Sequence, residues 1–281
     1  MTYRELYDLA VKSLQNADIA EAGLDARLIL EAVFEGNRNL LLLDGEKEAP
    51  SEKIPGFREL VEQRAMHIPL QQLLGVQNFM GLDFKVNDKV LIPRQDTETL
   101  VEEVLIELHD GMSVLDMCTG SGAILISLLN YKNDCIGVGS DLSAEALSVA
   151  RENASRLLPE EKQKNISFLQ GDLFEPVEGK FDRIVSNPPY IPTEVIPTLM
   201  PEVRDHEPLM ALDGDRDGLR FYRQIIAQSK DYLYHGGMLY FEIGYDQKEA
   251  VIGLMKETGF VQITCVKDLA GLDRVVYGTY L

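Results

Sequence analysis

The sequence of 281 residues has no tryptophan, only three cysteines and far fewer basic than acidic side chains. Cys118, Cys135 and Cys265 are odd in number and widely separated, and none forms a Cys-x-x-Cys pair. This arrangement indicates neither a disulfide framework nor a zinc site, so we expect no metal centre. Reduced thiols in a cytoplasmic protein are the simplest interpretation.

Basic charge is scarce: 27 Lys and Arg residues against 46 Asp and Glu residues give a net charge of −19. Affinity for phosphate backbones comes largely from Lys and Arg, so the sequence disfavours direct binding to nucleic acid. Long apolar runs are also missing, and the segment from Met1 to Glu5 lacks the apolar core of a signal peptide. We therefore expect no membrane association.

Three segments follow one another along the chain. Residues 1–75 read as helices, residues 76–93 as a β-hairpin linker, and residues 94–281 as a larger domain. Thr2 and Glu5 have the spacing of a capping box at the start of the first helix. Further helices are predicted over 25–34 and 55–66, the latter after a cap at Ser51. The helical segment is too small to be an enzyme alone, and we expect it to recognise a partner or cover a cleft.

Strands and helices alternate in the larger domain. The predicted strands are 113–117, 136–139, 166–169, 181–186 and 238–243, and the predicted helices are 122–129, 143–156 and 218–233. Such alternation is typical of an α/β fold, in which helices cover both faces of a mostly parallel sheet. Ligands in these folds bind at the carboxyl ends of the strands, near the point where the strand order reverses.

The tetrapeptide Asn187-Pro188-Pro189-Tyr190 ends one of these strands. Two consecutive prolines cannot extend a central strand, so the chain must turn there. The Asn187 carboxamide oxygen and a nearby backbone carbonyl are both acceptors, and together they can hold the two hydrogens of a planar NH₂ group. The alternative interpretation is a strand-ending Asn-Pro turn with no chemical role.

A glycine-containing loop follows the first strand of the larger domain. Its candidate ligand-binding residues are Asp116, Cys118, Thr119, Gly120, Ser121 and Gly122. Gly120 and Gly122 allow close backbone approach to a ligand. Leu125 stands where the dinucleotide fingerprint needs a third glycine, and no Gly-Lys-Ser/Thr follows, so neither a nicotinamide site nor a P-loop is indicated.

Two further acids end the next two strands. Asp141, followed by Leu142, lies 21 residues after Gly120 (141 − 120 = 21), where a carboxylate can bind ribose hydroxyls. Asp172 could accept from an adenine amine, and Leu173 could pack on the ring. Each acid alone is also consistent with a helix cap or a solvated turn. Together they favour an adenosine ligand without a phosphate, and a cationic sulfonium fits better still.

These motifs resemble those of S-adenosylmethionine-dependent methyltransferases, and nearly the whole chain resembles the release factor glutamine methyltransferases of the HemK type. The additional matching segments are Pro69-Leu70-Gln71-Gln72-Leu73-Leu74-Gly75, Phe79-Met80-Gly81-Leu82-Asp83-Phe84, Ile92-Pro93-Arg94-Gln95-Asp96-Thr97-Glu98 and Ala211-Leu212-Asp213-Gly214. The resemblance implies a Rossmann-like methyltransferase domain with a small N-terminal helical domain, joined by the β-hairpin. Two residues depart from the family pattern, Cys118 in place of Gly and Gln95 in place of Pro.

The resemblance also implies a cofactor, a partner and roles for the tetrapeptide. The methyl donor would be S-adenosylmethionine, and the acceptor would be the glutamine of a Gly-Gly-Gln loop on a class 1 peptide-chain release factor. Asn187 and the Pro188 carbonyl would accept the two amide hydrogens, Pro189 would stiffen the turn, and Tyr190 would pack against the amide plane. Asn187 would also contact the cofactor.

Two other functions remain open at this point. An adenine amino-methyltransferase uses the same kind of motif, but it should carry a basic face and aromatic platforms for a flipped base. A noncatalytic adaptor could keep the cofactor fold and bind partners through its helices. A calcium site is disfavoured, because the loop from Asp213 to Gly218 matches half of an EF-hand while Gln224 stands at position twelve.

Overall fold

The computed structural model describes residues 1–281, which divide into two compact units. The smaller unit comprises residues 1–75 and 200–206, and the larger unit comprises residues 76–199 and 207–281. The β-hairpin expected to be a linker therefore groups with the larger unit. None of the helices has both the length and the apolar character needed to span a membrane.

Thirteen α-helices and nine strands make up the chain. The helices are α1 (Tyr3–Asn16), α2 (Ala22–Val33), α3 (Leu40–Asp44), α4 (Ile54–Ala65), α5 (Leu70–Leu74), α6 (Asp96–Glu107), α7 (Ala123–Tyr131), α8 (Ala144–Leu157), α9 (Glu160–Gln163), α10 (Pro201–Arg204), α11 (Leu209–Leu212), α12 (Arg220–Tyr232) and α13 (Lys248–Thr258). The strands are β1 (Val76–Phe79), β2 (Leu82–Lys85), β3 (Ser113–Met117), β4 (Ile136–Asp141), β5 (Ile166–Gln170), β6 (Phe181–Ser186), β7 (Leu233–Glu242), β8 (Val261–Lys267) and β9 (Asp273–Thr279).

The smaller unit is a helical domain, as the sequence predicts. The capping box at the start of α1 is confirmed: the Glu5 backbone N–H donates to Thr2 Oγ1 at 3.2 Å, and the Thr2 backbone N–H donates to Glu5 Oε2 at 2.9 Å. The predicted cap at Ser51 is wrong. Lys53 precedes α4 without a side-chain cap, because Pro55 in the first turn presets the helical backbone there.

Charged side chains inside the smaller unit explain why residues 200–206 belong to it. Arg64 is buried and donates to the buried Asp25 carboxylate at 2.7 Å. The same guanidinium group donates to Glu202 at 3.1 Å, and His67 Nδ1 lies 3.0 Å from the same Glu202 oxygen. Arg64 is already paired with Asp25, and Glu202 adds a second carboxylate that accepts from the same guanidinium group and ties residues 200–206 to α4.

The larger unit contains a seven-stranded sheet with the order β5-β4-β3-β6-β7-β9-β8. The first five strands in this order are parallel, and β9 and β8 add an antiparallel edge. The α/β fold with a mostly parallel sheet is therefore confirmed. Helix α7 is buried along most of its length, and Ser143 caps α8 by accepting the Ala146 backbone N–H at 3.1 Å, as predicted.

The strand order reverses at β3, which lies between β4 and β6. Met117 at the end of β3 pairs with Ser186 at the end of β6, and the Ser186 hydroxyl donates to the Met117 carbonyl at 2.7 Å. The loops that follow these two strands therefore begin side by side. This is the position at which open parallel sheets bind their ligands.

The sequence analysis does not predict six elements of the larger unit: the short helices α9 and α11, and α6, α13, β8 and β9. Helix α6 buries Thr97, Leu100, Val101 and Val104, which recur at helical spacing. This helical spacing is visible in the sequence, but it overlaps the motif from Ile92 to Glu98, so the motif obscures the helix. The exposed residues of β8 interrupt any strict alternation, which is why an edge strand is hard to detect.

Candidate active site

A cavity of about 500 Å³ lies at the carboxyl ends of the parallel strands, and all of its lining residues belong to the larger unit. Its size falls in the range typical of small-molecule sites. Of the residues predicted to bind a cofactor, those that line it are Cys118, Gly120, Asp141, Leu142, Asp172, Leu173 and Asn187. The segments at the carboxyl ends of four parallel strands, β3, β4, β5 and β6, thus meet at one cavity.

The other predicted cofactor residues lie behind the cavity wall. Asp116 is fully buried; its Oδ2 accepts the Thr119 hydroxyl at 2.6 Å, whereas its Oδ1 has no hydrogen-bond partner. The Ser121 carbonyl accepts from Asn153 Nδ2 at 3.0 Å. A Cβ atom at Gly122 would lie 2.8 Å from a side-chain carbon of α7, so this glycine allows close packing. The hydrogen bonds and close packing of these residues hold the backbone of the glycine-containing loop in place.

Burial decides the protonation of two groups in the loop. It raises the pKa of the Asp116 carboxyl from 3.8 to about 7, because no charged partner compensates for the lost hydration. It also raises the pKa of the Cys118 thiol, and the neighbouring Asp141 and Asp116 carboxylates add to the shift. The Cys118 thiol is therefore protonated at neutral pH and is a poor nucleophile.

The backbone of the loop is bent by two left-handed residues that face the cavity. Gly120 has a φ of 54° and Cys118 a φ of 60°. A Cβ atom at Gly120 would meet no protein atom within 4 Å, so the space beside it is open to a ligand. Glycine adopts the left-handed conformation without strain, whereas the Cβ atom of Cys118 makes this backbone unfavourable.

Asp141 connects the loops after β3 and β4. Its Oδ2 accepts the Gly120 backbone N–H at 2.9 Å, and its Oδ1 accepts the Ser143 backbone N–H at 2.9 Å. Each carboxylate oxygen keeps a second lone pair for a ligand hydroxyl. Burial raises the pKa of Asp141, and the backbone hydrogen bonds oppose this shift.

The loop after β5 supplies Asp172 and Leu173. Leu173 is held in the left-handed region with a φ of 50°, and its carbonyl accepts the Ser140 hydroxyl at 2.9 Å. A branched side chain in this region costs free energy, and such residues concentrate at binding sites. The hydrogen bond to Ser140 offsets this cost and fixes the loop at the cavity.

The Asn-Pro-Pro-Tyr turn places Asn187 and Pro189 at the cavity. Asn187 Nδ2 lies 3.5 Å from Thr97 Oγ1 on α6, so the amide nitrogen points into the protein and its oxygen is left for a ligand. The Tyr190 hydroxyl donates to Glu242 Oε1 at 3.1 Å, and Tyr190 does not line the cavity. Its stacking on a substrate amide stays a prediction.

The backbone beyond the turn is held by close packing. The Tyr190 carbonyl accepts from Gln247 Nε2 at 2.9 Å. A Cβ atom at Gly218, which has a φ of 70°, would lie only 2.2 Å from the same carbonyl oxygen, so a side chain there would displace the turn. In the loop from Asp213 to Gly218, which matches half of an EF-hand, Asp213 accepts the Thr193 hydroxyl at 2.7 Å.

Several lining residues were not identified from the sequence. They come from the segment after β2, from the segment around α11 and from the start of α12: Lys89, Val90, Leu91, Pro208, Leu209, Met210, Ala211, Arg220 and Phe221. Thr97 and the buried Glu242 behind Asn187 and Tyr190 were also missed as site residues. Asp141 and Asp172 were predicted as site residues because ligands bind at the carboxyl ends of parallel strands. Glu242 is the last residue of β7, so the same argument applies to it.

This fold and cavity define a methyltransferase domain. Residues 95–198 match the family model described as the methyltransferase small domain, and residues 5–75 match that of the PrmC N-terminal domain. The structure of a methyltransferase from Pyrococcus furiosus has the same fold; its TM-score is 0.51 at 18% identity, over 71% of this chain and 89% of that chain.

Two curated relatives identify the family within this class. The release factor glutamine methyltransferase of Caulobacter vibrioides is 41% identical over 99% of this chain and 96% of its own length. That of Geobacter sulfurreducens is also 41% identical, over 99% of this chain and 96% of its own length. The chain belongs to the release factor glutamine methyltransferase family, and the resemblance drawn from the motifs is confirmed.

Proposed function

We propose that this protein transfers a methyl group from S-adenosylmethionine to the side-chain amide nitrogen of the glutamine in the Gly-Gly-Gln loop of class 1 release factors. The observation that carries this proposal is the position of Asn187, at the wall of a cavity built by the strand ends of β3, β4 and β5. Its nitrogen faces Thr97, so its oxygen is the group available to a substrate NH₂.

The residues of the cavity fit the cofactor. Three carboxylates (Asp141, Asp172 and Asp213) and two basic side chains (Lys89 and Arg220) line it, an excess of negative charge that suits a cation. The open space beside Gly120 provides room for close approach to the backbone. S-adenosylmethionine supplies an electrophilic methyl group on a positively charged sulfur atom.

We assign the cofactor contacts by the chemistry of each side chain. Asp141 accepts from the ribose hydroxyls through its remaining lone pairs, and Asp172 accepts from the adenine amine. Leu142 and Leu173 supply apolar contacts to the ring. Supporting these assignments, the two acids end adjacent strands and both line the cavity.

Orientation of the acceptor amide is the main catalytic task. An amide nitrogen is a poor nucleophile, because its lone pair is delocalised into the carbonyl. Asn187 Oδ1 and the Pro188 carbonyl accept its two hydrogens, which directs the lone pair and stabilises positive charge as it develops on nitrogen. The two prolines keep these acceptors at fixed positions.

The proposed substrate, a release factor, implies a role in translation termination. Methylation of release factors modulates translation termination, and its place is the cytoplasm, where the three free cysteines of this chain remain reduced. We further propose that the smaller unit recognises the release factor. Leu42 and Leu43 on α3 are 80% and 73% exposed, and large exposed apolar side chains favour contact with another protein.

A transfer assay with three acceptors tests the proposed function. Tritium-labelled S-adenosylmethionine is incubated with the protein and with a full-length class 1 release factor, the same factor with its acceptor glutamine replaced by alanine, or an adenine-containing oligonucleotide. We expect label only on the unchanged release factor. Label on the oligonucleotide would support an adenine methyltransferase instead, and no label on any acceptor would support a noncatalytic adaptor.

A further inference from the structure

One part of the cavity wall comes from a single short segment, residues 207–214, which we call the strap. Four consecutive residues of the strap line the cavity: Pro208, Leu209, Met210 and Ala211. Leu209 is 59% exposed and Met210 is 52% exposed. Covering apolar surface is favourable, so a ligand that contacts these two side chains gains free energy from them.

The first end of the strap is held by a buried carboxylate. The side chain of Glu207 is 1% exposed, and each of its oxygens has its own donor. Oε1 accepts the Ile92 backbone N–H at 3.4 Å, and Oε2 accepts from Arg94 Nη2 at 2.5 Å. The contact with Arg94 is the shorter one and pairs opposite charges, so it contributes most to holding the strap on the segment after β2.

The other end of the strap packs against the Asn-Pro-Pro-Tyr turn. The Ile191 backbone N–H donates to the Leu212 carbonyl at 3.0 Å, and the Gly214 backbone N–H donates to the Ile191 carbonyl at 2.8 Å. A Cβ atom at Gly214 would lie 2.8 Å from Tyr190 Cα, so only glycine allows this close approach. Backbone hydrogen bonds therefore join the strap to the chain directly after the turn.

Both ends of the strap lead to residues beside Asn187. The Arg94 carbonyl accepts the Thr97 backbone N–H at 3.1 Å, and Thr97 Oγ1 lies 3.5 Å from Asn187 Nδ2. Ile191, which holds the second end, directly follows the turn. The proposed cofactor contacts instead come from the loops after β3, β4 and β5. The strap is therefore attached on the side of the cavity that would receive the acceptor amide.

The acceptor side chain combines apolar and polar parts. A glutamine carries two methylene groups before its amide, and an apolar surface beside them contributes binding free energy and excludes water from the amide. We propose that Leu209 and Met210 form the wall against which the methylene groups of the acceptor glutamine pack, and that Glu207 is a positioning residue that holds this wall by bonding Arg94. This inference rests on the proposed function and concerns how the same site recognises its acceptor.

Shortening the wall tests the first part of the proposal. Leu209→Ala and Met210→Ala each remove apolar contact with the acceptor and leave the proposed cofactor contacts in place. We expect KM for a class 1 release factor to rise by about threefold to tenfold, whereas S-adenosylmethionine affinity, measured by calorimetry, changes little. Leu269→Ala is the matched control, because Leu269 is an exposed leucine of the larger unit outside the cavity, and it should retain the parental KM.

Glu207→Gln tests the second part, because it preserves shape and removes the charge that pairs with Arg94. We expect kcat/KM for the release factor to fall by about tenfold, the lower end of the range for losing a hydrogen bond to a charged group. Independently of activity, backbone amides of residues 207–214 should exchange their hydrogens faster than in the parent, whereas those of β6 should not.

A second buried carboxylate provides the matched control for Glu207. Asp268 also accepts one backbone N–H, from Leu272, and one arginine N–H, from Arg274, and it lies outside the cavity. Asp268→Asn therefore loses the same kind of pair without touching the strap. It should retain the parental kcat/KM and the parental hydrogen exchange of residues 207–214.

A double variant shows whether Glu207 acts through Arg94. Adding Glu207→Gln to Arg94→Met should cause no further loss of kcat/KM, whereas additive losses would overturn the pairing. Parental KM in both alanine variants, or a loss of cofactor affinity as large as the loss of kcat/KM, would overturn the acceptor wall. Failure of the parental protein to methylate the release factor would instead overturn the proposed function, and hydrogen exchange would still report on Glu207.

Discussion

Gly120 donates its backbone N–H to Asp141 Oδ2 at 2.9 Å, which ties the loop after β3 to the end of β4. Both residues line the cavity. The carboxylate therefore has two tasks, to hold the loop that shapes the cavity and to accept from a ligand. A replacement of Asp141 should therefore lower the affinity for the cofactor more than it lowers the rate of methyl transfer.

We expect Asp141→Ala to weaken S-adenosylmethionine binding by about ten- to a hundredfold, the range for losing hydrogen bonds to a charged group. Calorimetric titration of the purified variant provides the measurement. Asp231→Ala is the control, because Asp231 is an exposed acid on α12 outside the cavity and its loss should leave affinity unchanged. Unchanged affinity in Asp141→Ala would refute the ribose assignment.

Replacement of Asn187 by alanine removes the acceptor directed at the reacting nitrogen. Single-turnover methylation of a release factor should slow by about 10²–10³-fold, as when a preorganised hydrogen-bonding group is deleted from an oxyanion hole. Asn187→Asp keeps an acceptor but adds a charge, so we expect only partial loss. Cofactor affinity, determined in parallel, should change much less than the rate. A parental rate in Asn187→Ala would mean that the turn is only structural.

Relief of backbone strain is the expected effect of Cys118→Gly. The φ of 60° at Cys118 disfavours any residue with a Cβ atom. Glycine removes this penalty but increases the entropy of the unfolded chain, so we expect the free energy of unfolding to rise by up to about 1 kcal/mol. Cys118→Val should lower it, because a β-branched side chain is least compatible with this region. Urea denaturation of both variants measures the difference, and equal stabilities would contradict the strain argument.

The buried Asp116 carboxyl should make stability depend on pH. Its pKa is raised from 3.8 to about 7 by burial, so the folded chain binds this proton more tightly than the unfolded chain does. The contribution is favourable below the unfolded pKa and is lost as pH rises through the window from 3.8 to about 7. Asp116→Asn removes this titration and should be less sensitive to pH over that window. Identical pH profiles of unfolding free energy for parent and variant would exclude the assignment.

Local signals in the sequence predicted much of the larger unit. Strand β6 follows its predicted bounds because its apolar run ends at two prolines, and Ser143 caps α8 because the cap and the helix are neighbours in sequence. The strand-end acids Asp141 and Asp172 reach one cavity because parallel strands share a carboxyl edge.

Relationships between distant residues could not be predicted in this way. Glu202 joins the smaller unit because it pairs with Arg64, which lies 138 positions earlier in the chain. Thr97 on α6 and Asn187 after β6 lie 90 positions apart, and their side chains come within 3.5 Å only through tertiary packing. Backbone strain at Leu173 is likewise a result of tertiary packing, since leucine has no preference for left-handed geometry.

The most direct test of the central claim is a fragment mass spectrum of a class 1 release factor after incubation with this protein and S-adenosylmethionine. We predict the gain of one methyl group on the side-chain amide of the glutamine in the Gly-Gly-Gln loop, and a strong reduction of that product with Asn187→Ala. A methyl group on any other residue, or an unmodified glutamine after prolonged incubation with cofactor-bound protein, would contradict the account.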